Sequence, residues 1–429
     1  MRTKSIIEKG VTSSQWRWLN FMDYLSPFYI ICTIPLFYLA WNYDFLFKGV
    51  IILITVLYLM RFGYPKSPTT SIFTVFLGIV AFSFIQYVYN DTPFICYIND
   101  ASNYLAAMLF YYVGISDDRP GRTFYKKYLY VTVAVFAVGL LCYVTTPSWY
   151  VTRYLDIVNS KSLLAYSENN VLNDLRYSAF FGDSYAVSHL SVFAAAMAIF
   201  EIVSNKGKSL ILPIVCLMIA ILSSVASMHR ASIVGSVIVL MMFFYYNHKT
   251  YRYSVNIKFA LFCVLLLVGF LLFLPSVDDR MTNIFDMVTE RVDDNMSLGK
   301  ALDERKNTHE LMASMRFFLF GHGLGSGGAS ARQFGLPGIS DMQYLKMFFE
   351  NGIVGAVLFI LIIIRALSRG IKYIKYYLTE VSIVLFILVA MLGSNSLSIY
   401  YFYVFPFWYA VGRICNDSYF QHLKKQEWI

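Results

Sequence analysis

Charge is scarce in this sequence. Asp, Glu, Lys and Arg make up 14% of its 429 residues, whereas 58% are hydrophobic and the mean hydropathy is +0.57. Soluble domains carry about one quarter charged residues, so a soluble globular fold is excluded and a polytopic membrane protein is expected. Cysteine is sparse as well. Cys32, Cys96, Cys142, Cys216, Cys263 and Cys415 are scattered, all but one in or beside apolar runs, with no CxxC pair. That spacing argues against a disulfide framework or a zinc site and suits small apolar packing residues. The chain also lacks internal repeats, low-complexity tracts and a separate soluble domain. No cleavable signal peptide is visible: residues 1–24 carry Arg2, Lys4, Lys9 and Arg17 but no apolar run, so the first span is expected to act as the targeting signal.

What is present is a succession of apolar runs, each near the roughly 20 residues a spanning helix needs. About twelve spans are expected, near 25–42, 46–60, 70–89, 93–115, 128–146, 183–203, 210–227, 231–247, 259–275, 342–364, 378–394 and 399–415. The net charge of +9 would suit nucleic acid, but its distribution speaks against that partner. Basic residues gather in short stretches after every second span: Arg61 and Lys66; Arg119, Arg122, Lys126 and Lys127; Lys206 and Lys208; Lys249, Arg252 and Lys258; Arg365, Arg369, Lys372 and Lys375; then Arg413, Lys424 and Lys425. Short cytoplasmic loops carry this excess. Both termini are therefore expected in the cytoplasm, with two large loops, about 147–182 and 276–341, facing outward from a single integral membrane domain.

Arg230 breaks the pattern. In "SMHRASIVGS" it lies on the expected outer side, in a turn of a few residues between two spans. An arginine at a span centre costs about 2.5–3.5 kcal/mol on insertion scales and less near the edge. Two readings stand: an anchor that snorkels to lipid phosphate, or a guanidinium aimed at an anionic ligand, which it binds bidentately at any physiological pH. The second outer loop adds Arg280, Arg291, Arg305, Arg316 and Arg332, with His309 and His322, among many carboxylates.

"FGHGLGSGG" spans 320–328 and contains Gly323-x-Gly325-x-x-Gly328. A dinucleotide fingerprint is rejected, because no strand precedes it and no βαβ unit is available. Glycines still let a backbone turn tightly and approach a ligand closely. In "SDMQYLKMFFENGIVG", Asp341 lies where the chain re-enters the membrane. Lys346 and Glu350 are one turn apart and able to pair. Asn99, Asp100, Ser102 and Asn103 sit at the outer end of the fourth span. Polar groups at such depth usually face a cavity or the bundle interior, so an outward-opening polar cavity is expected.

Taken together, Arg230 opening a span, Arg305 ahead of "FGHGLGS", Asp341, and "YLKMFFENGIVG" resemble the bacterial superfamily of O-antigen polymerases (Wzy-type) and O-antigen ligases. The resemblance implies an all-α, GT-C-like membrane glycosyltransferase in the bacterial inner membrane. It implies no metal and no cofactor. It implies a substrate carried on undecaprenyl diphosphate in the bilayer, with a flippase and a chain-length regulator as associated partners. Ligases of this superfamily tend to have histidine where this chain has Asp341, which favours the polymerase. On this resemblance Arg230 and Arg305 stabilise the diphosphate leaving group and Asp341 acts as base, with His322 behind it. His309, Arg291, Arg316, Gly323, Gly325, Tyr344, Glu350 and Arg176 are the further candidates for holding the substrate. Arg316 and Gly327 fit an Arg-x10-Gly pattern seen in some polymerases, whereas Arg153 and Arg176 do not. A ligase and a lipid-linked oligosaccharide flippase remain as alternatives, the latter disfavoured by the large outer loop and the lack of a repeat.

Overall fold

The computed structural model describes residues 13–39, 44–88, 93–119, 123–161, 177–181, 184–204, 210–227, 230–251, 319–328, 331, 334, 342–394, 396–397 and 401–421. Among these, every regular element is helical: α1 (Ser13–Leu39), α2 (Asp44–Phe62), α3 (Pro68–Phe82) with a 3₁₀ turn at Ser83–Val88, α4 (Phe94–Met108), α5 (Phe110–Ser116), α6 (Thr123–Thr145), α7 (Ser148–Lys161), α8 (Ser184–Ser204), α9 (Ile211–Ala226), α10 (Arg230–Tyr251), α11 (Gln343–Lys372), α12 (Ile374–Ala390) and α13 (Tyr401–Cys415). Five stretches, Ser14–Tyr38, Pro68–Tyr87, Thr123–Thr145, Ser184–Ser204 and Gln343–Lys372, are long and apolar enough to cross a membrane, and Ile211–Ala226 is a shorter apolar helix. The expected span at 259–275 lies outside the described residues.

Several boundaries differ from the apolar runs for physical reasons. The first helix begins at Ser13, a dozen residues before its expected span. Its polar first half is held by Asn20 and Asp23, which accept from the Arg119 guanidinium at 2.7 and 2.8–2.9 Å. The fourth span is two helices, α4 and α5, joined at Leu109. Residues 147–182, expected as the first outer loop, include α7 and a buried turn at 177–181. There Tyr177 donates its N–H to the Ala226 carbonyl, and Tyr150 donates its hydroxyl to the Ala179 carbonyl.

The core is one continuous cluster running from α1 to α13. Its centre is aromatic: Phe73 stacks on Tyr111 at 3.8 Å, and Trp408 meets Phe73, Phe76 and Phe359. Where α5 crosses α13, a Cβ on Gly114 would stand 2.2 Å from the Tyr409 carbonyl oxygen, and one on Gly412 equally close to that of Tyr111. Small residues let membrane helices approach this closely, so that packing replaces the hydrophobic drive that lipid does not supply.

The two ends of the bundle are chemically distinct. The stretches expected to be cytoplasmic converge at one of them. Here Arg119 joins Asp23 and Asp117, Arg413 joins Asp117 at 3.1 Å and Glu380 at 3.6 Å, Arg369 joins Asp417 at 2.6 Å, and Lys126 joins Glu201 at 3.2 Å. Lys249 caps the end of α11 through the Ile371 and Lys372 carbonyls. Burial opposes ionisation of Asp117, but the charges of Arg413 and Arg119 outweigh it and hold this carboxyl below its usual range.

Candidate functional site

The opposite end is built around a break in a helix. Gly352, inside α11, has φ 68° and ψ −175°. That conformation is open to glycine and closed to nearly every other residue. The break frees carbonyls that would otherwise bond along the helix, and at membrane depth they need partners. The glycine-rich loop supplies them. His322 N–H donates to the Phe349 carbonyl at 2.8 Å and Gly323 N–H to the Glu350 carbonyl at 3.0 Å, while Val354 N–H returns a bond to Leu319 at 3.2 Å. The contact is tight from both sides. A Cβ on Gly352 would lie 2.4 Å from the Leu319 carbonyl oxygen, and one on Gly321 2.4 Å from that of Glu350. "FGHGLGSGG" and "ENGIVG" are thus two halves of one lock.

The rest of the loop packs on α3 and α4. Tyr87 donates its hydroxyl to the Leu324 carbonyl at 2.6 Å, and Ser83 Oγ accepts the Leu324 N–H at 3.0 Å. Gly325 lies so close to α4 that a Cβ would meet the Cys96 carbonyl oxygen at 2.3 Å. Below the loop, Lys346 places Nζ 2.7 Å from Asp100 Oδ2 and 3.6 Å from Glu350 Oε1, and that same Glu350 oxygen accepts Gly327 N–H at 3.2 Å. The expected pairing of Lys346 with Glu350 is present. The shorter partner, Asp100, is 246 residues away in sequence.

His322, Gly323, Gly325 and Glu350 therefore come together. The His322 ring stacks on Phe349 at 4.1 Å and Nδ1 donates to the Phe349 carbonyl at 3.3 Å. Burial pushes this imidazole below its ordinary pKa, against the bond to Phe349. Tyr344 turns elsewhere, donating its hydroxyl to the Leu388 carbonyl of α12 at 2.7 Å. Arg230 is the first residue of α10, at the same end as the lock: α9 returns along α8 to the end where His189 bonds Ser396, next to Leu397, whose N–H Gln343 of α11 accepts. Asp341, Arg305, His309, Arg291, Arg316 and Arg176 lie outside the described residues. Asp341 stands two positions before α11, whose first residue, Gln343, is held by the Met391 carbonyl and accepts Leu397 N–H at 3.3 Å. Of the polar group expected on the fourth span, Asp100 is buried beneath the loop, whereas Ser102 is spent on the Asn99 carbonyl. A buried residue that sequence reasoning passed over is His189 of α8. It bridges the Tyr185 carbonyl and Ser396 Oγ at 3.0 and 3.2 Å, and only its position near the start of an apolar run hinted at it.

Among the described residues no group of three or more His, Cys, Asp or Glu is placed to hold a metal ion. The arrangement offers backbone amides, buried charge and a histidine beside a locked loop.

No curated protein and no solved structure matches the chain. A family model does: residues 214–360 match the one described as O-antigen ligase. The matched stretch begins in α9, runs through Arg230 and the glycine loop, and ends just past the break at Gly352, so it fits the superfamily of O-antigen polymerases and ligases that the motifs resemble.

Proposed function

We propose that this chain is a polymerase that joins oligosaccharide repeat units carried on undecaprenyl diphosphate, building an O-antigen or a capsule polysaccharide at the outer face of the bacterial inner membrane. The observation that carries this reading is the lock between the glycine loop and the break at Gly352, at the bundle end that also holds Arg230 and the approach to Asp341. Convergence of the basic loops at the other end supports cytoplasmic termini and an outward-facing lock. The count of twelve spans and the GT-C-like arrangement belong to this proposal.

The acceptor hydroxyl oxygen bonds to the anomeric carbon of the growing glycan as undecaprenyl diphosphate departs from it, and negative charge develops on the leaving phosphate oxygen as that bond breaks. Arg230 and Arg305 stabilise that charge. Asp341 takes the proton from the acceptor sugar hydroxyl, with His322 as the second choice of base. His309, Arg291, Arg316 and Arg176 hold the saccharide or its phosphates from the outer loops. A chain-length regulator and a flippase are the partners such a reaction calls for.

A ligase is the second reading, favoured by the description of the matched family. It would use the same leaving group and a lipid A core acceptor. The flippase reading has no support from the matched family. The test is purified protein incubated with lipid-linked repeat units, with and without lipid A core, and products resolved by length. A polymerase yields a ladder of lipid-linked products without the core. Transfer of single units to the core alone would establish the ligase instead.

A further inference from the structure

Three elements meet at one buried lysine. Lys346 of α11 is 2% exposed, and its partners Asp100 and Glu350 are 7% and 1% exposed. Its Nζ lies 2.7 Å from Asp100 Oδ2 on α4 and 3.6 Å from Glu350 Oε1 one turn along α11. Both carboxylates bear directly on the glycine loop. Glu350 Oε1 accepts Gly327 N–H at 3.2 Å, and a Cβ on Gly328 would stand 2.8 Å from Asp100 Oδ2. The cluster thus sits under the loop and meets it at Gly327 and Gly328.

Buried charges are retained where they are paired, and removing one partner leaves the others uncompensated. Without Lys346, two carboxylates would face each other in a site with almost no water. They would have to separate or take up protons, and either outcome loosens α4, the first turns of α11 and Gly327 together. The chain positions matter. The loop is preceded by the segment bearing Arg305, His309 and Arg316. Lys346 follows Asp341 by five residues in the chain and lies in the first turn of α11.

We infer that Asp100, Lys346 and Glu350 form a positioning clamp that fixes the glycine loop and the start of α11 relative to each other, and so holds in register the end of the bundle at which transfer is proposed. The three are positioning residues. Their charges are spent on one another and on loop backbone, and their burial keeps them from the glycan. The inference rests on the transferase reading of this end. It assigns to Glu350 a role beneath the loop in place of substrate contact, and brings in Asp100, which lies outside the matched stretch 214–360.

The test uses full-length protein in lipid nanodiscs, as wild type, Lys346→Met and Asp100→Asn, read in two ways. The first is amide hydrogen exchange. Exchange over 321–328 is expected to rise on the order of tenfold in both variants, with α13 unchanged, because loop amides report local opening. The second is steady-state transfer from the lipid-linked unit, per folded molecule. The turnover number is expected to fall about 10²-fold with the donor KM within about twofold, as misplacement by an ångström would do. A purely structural role would lower yield and leave turnover per folded molecule intact. Unchanged exchange in both variants, or a loosened loop with full turnover, overturns the clamp. Wild-type protein that transfers no glycan overturns the functional reading, while the exchange measurement still decides whether the clamp holds the loop. Should Lys346→Met not accumulate, Asp100→Asn, which keeps the side-chain shape, carries both readouts.

Discussion

Among the described residues two buried ionic clusters stand at opposite ends of the bundle, and they are built differently. At the basic end the cations are arginines. Arg119 and Arg413 bring several donors each to Asp23, Asp117 and Glu380, the Tyr409 hydroxyl joins Asp117 at 2.5 Å, and every connection runs between helices or helix ends. At the other end a single lysine serves two carboxylates, and one of these grips a loop by its backbone. A planar guanidinium with fixed donors suits a permanent joint, whereas an ammonium is a point charge on a flexible stem. The first cluster ties the bundle together. The second holds a glycine-built loop on a broken helix, an expensive arrangement in a membrane and the end at which transfer is proposed.

The comparison breaks most readily at Asp341. Asp341→Asn is expected to lose about 10²–10⁴ of transfer rate at normal membrane abundance, the range for loss of a general base. Wild-type chain lengths from that variant would remove Asp341 from the chemistry and move the assignment to His322. Arg230 comes next. Arg230→Lys is expected to be nearly as damaging as Arg230→Ala, each costing roughly 10²–10³ in rate, because lysine keeps the charge but loses the aligned donors. The lipid-linked single unit should accumulate in both. Full polymer at the normal rate from Arg230→Lys would leave Arg230 as a lipid anchor.

At the basic end the expectation reverses. Arg119→Met takes from Asp23 its bidentate partner and leaves Asp117 to Arg413 and Tyr409, and breaking a buried pair costs about 3–5 kcal/mol of stability. Its thermal midpoint should drop while turnover per folded molecule stays within about twofold of wild type. A normal midpoint with lost turnover would erase the distinction between the ends.

The smallest effect concerns His322. Its imidazole is held below the ordinary pKa by burial, so the folded state resists protonation. Between the lowered folded value and the ordinary value of 6.5 the unfolded chain binds more protons, and stability therefore falls as pH drops through that window. The wild-type midpoint should fall more from pH 7 to pH 5 than that of His322→Phe. Equal slopes would mean that the ring is exposed.

Much of this was legible in the sequence because a membrane enforces it. Apolar runs became helices where the structure describes them, and Arg119, Lys249, Arg369 and Arg413, from four of the basic stretches, lie at one end. Lys346 and Glu350 were readable as a pair from helical spacing alone. Asp100 was visible only as a polar residue at depth, since nothing local joins residues 246 apart. The break at Gly352 was missed. Asn351-Gly352 inside an apolar run is a turn signal, but the helix continues on both sides and the periodicity survives it. The early start of α1 was missed because its polar half is stabilised by Arg119, 96 residues from Asp23. The helix α7 within the first outer loop has little apolar character to announce it.

The proposed function requires that substrate is handled at the glycine-locked end. It can be tested by thiol labelling in a variant whose six native cysteines are replaced, carrying one new cysteine at Leu319, 57% exposed beside the lock, or at Asp417, whose side chain is 71% exposed at the basic end. Labelling rates would be measured on purified protein with and without the lipid-linked repeat unit. The substrate is expected to slow labelling at 319 and to leave 417 unchanged. Protection at 417, or at neither position under saturating substrate, would contradict it.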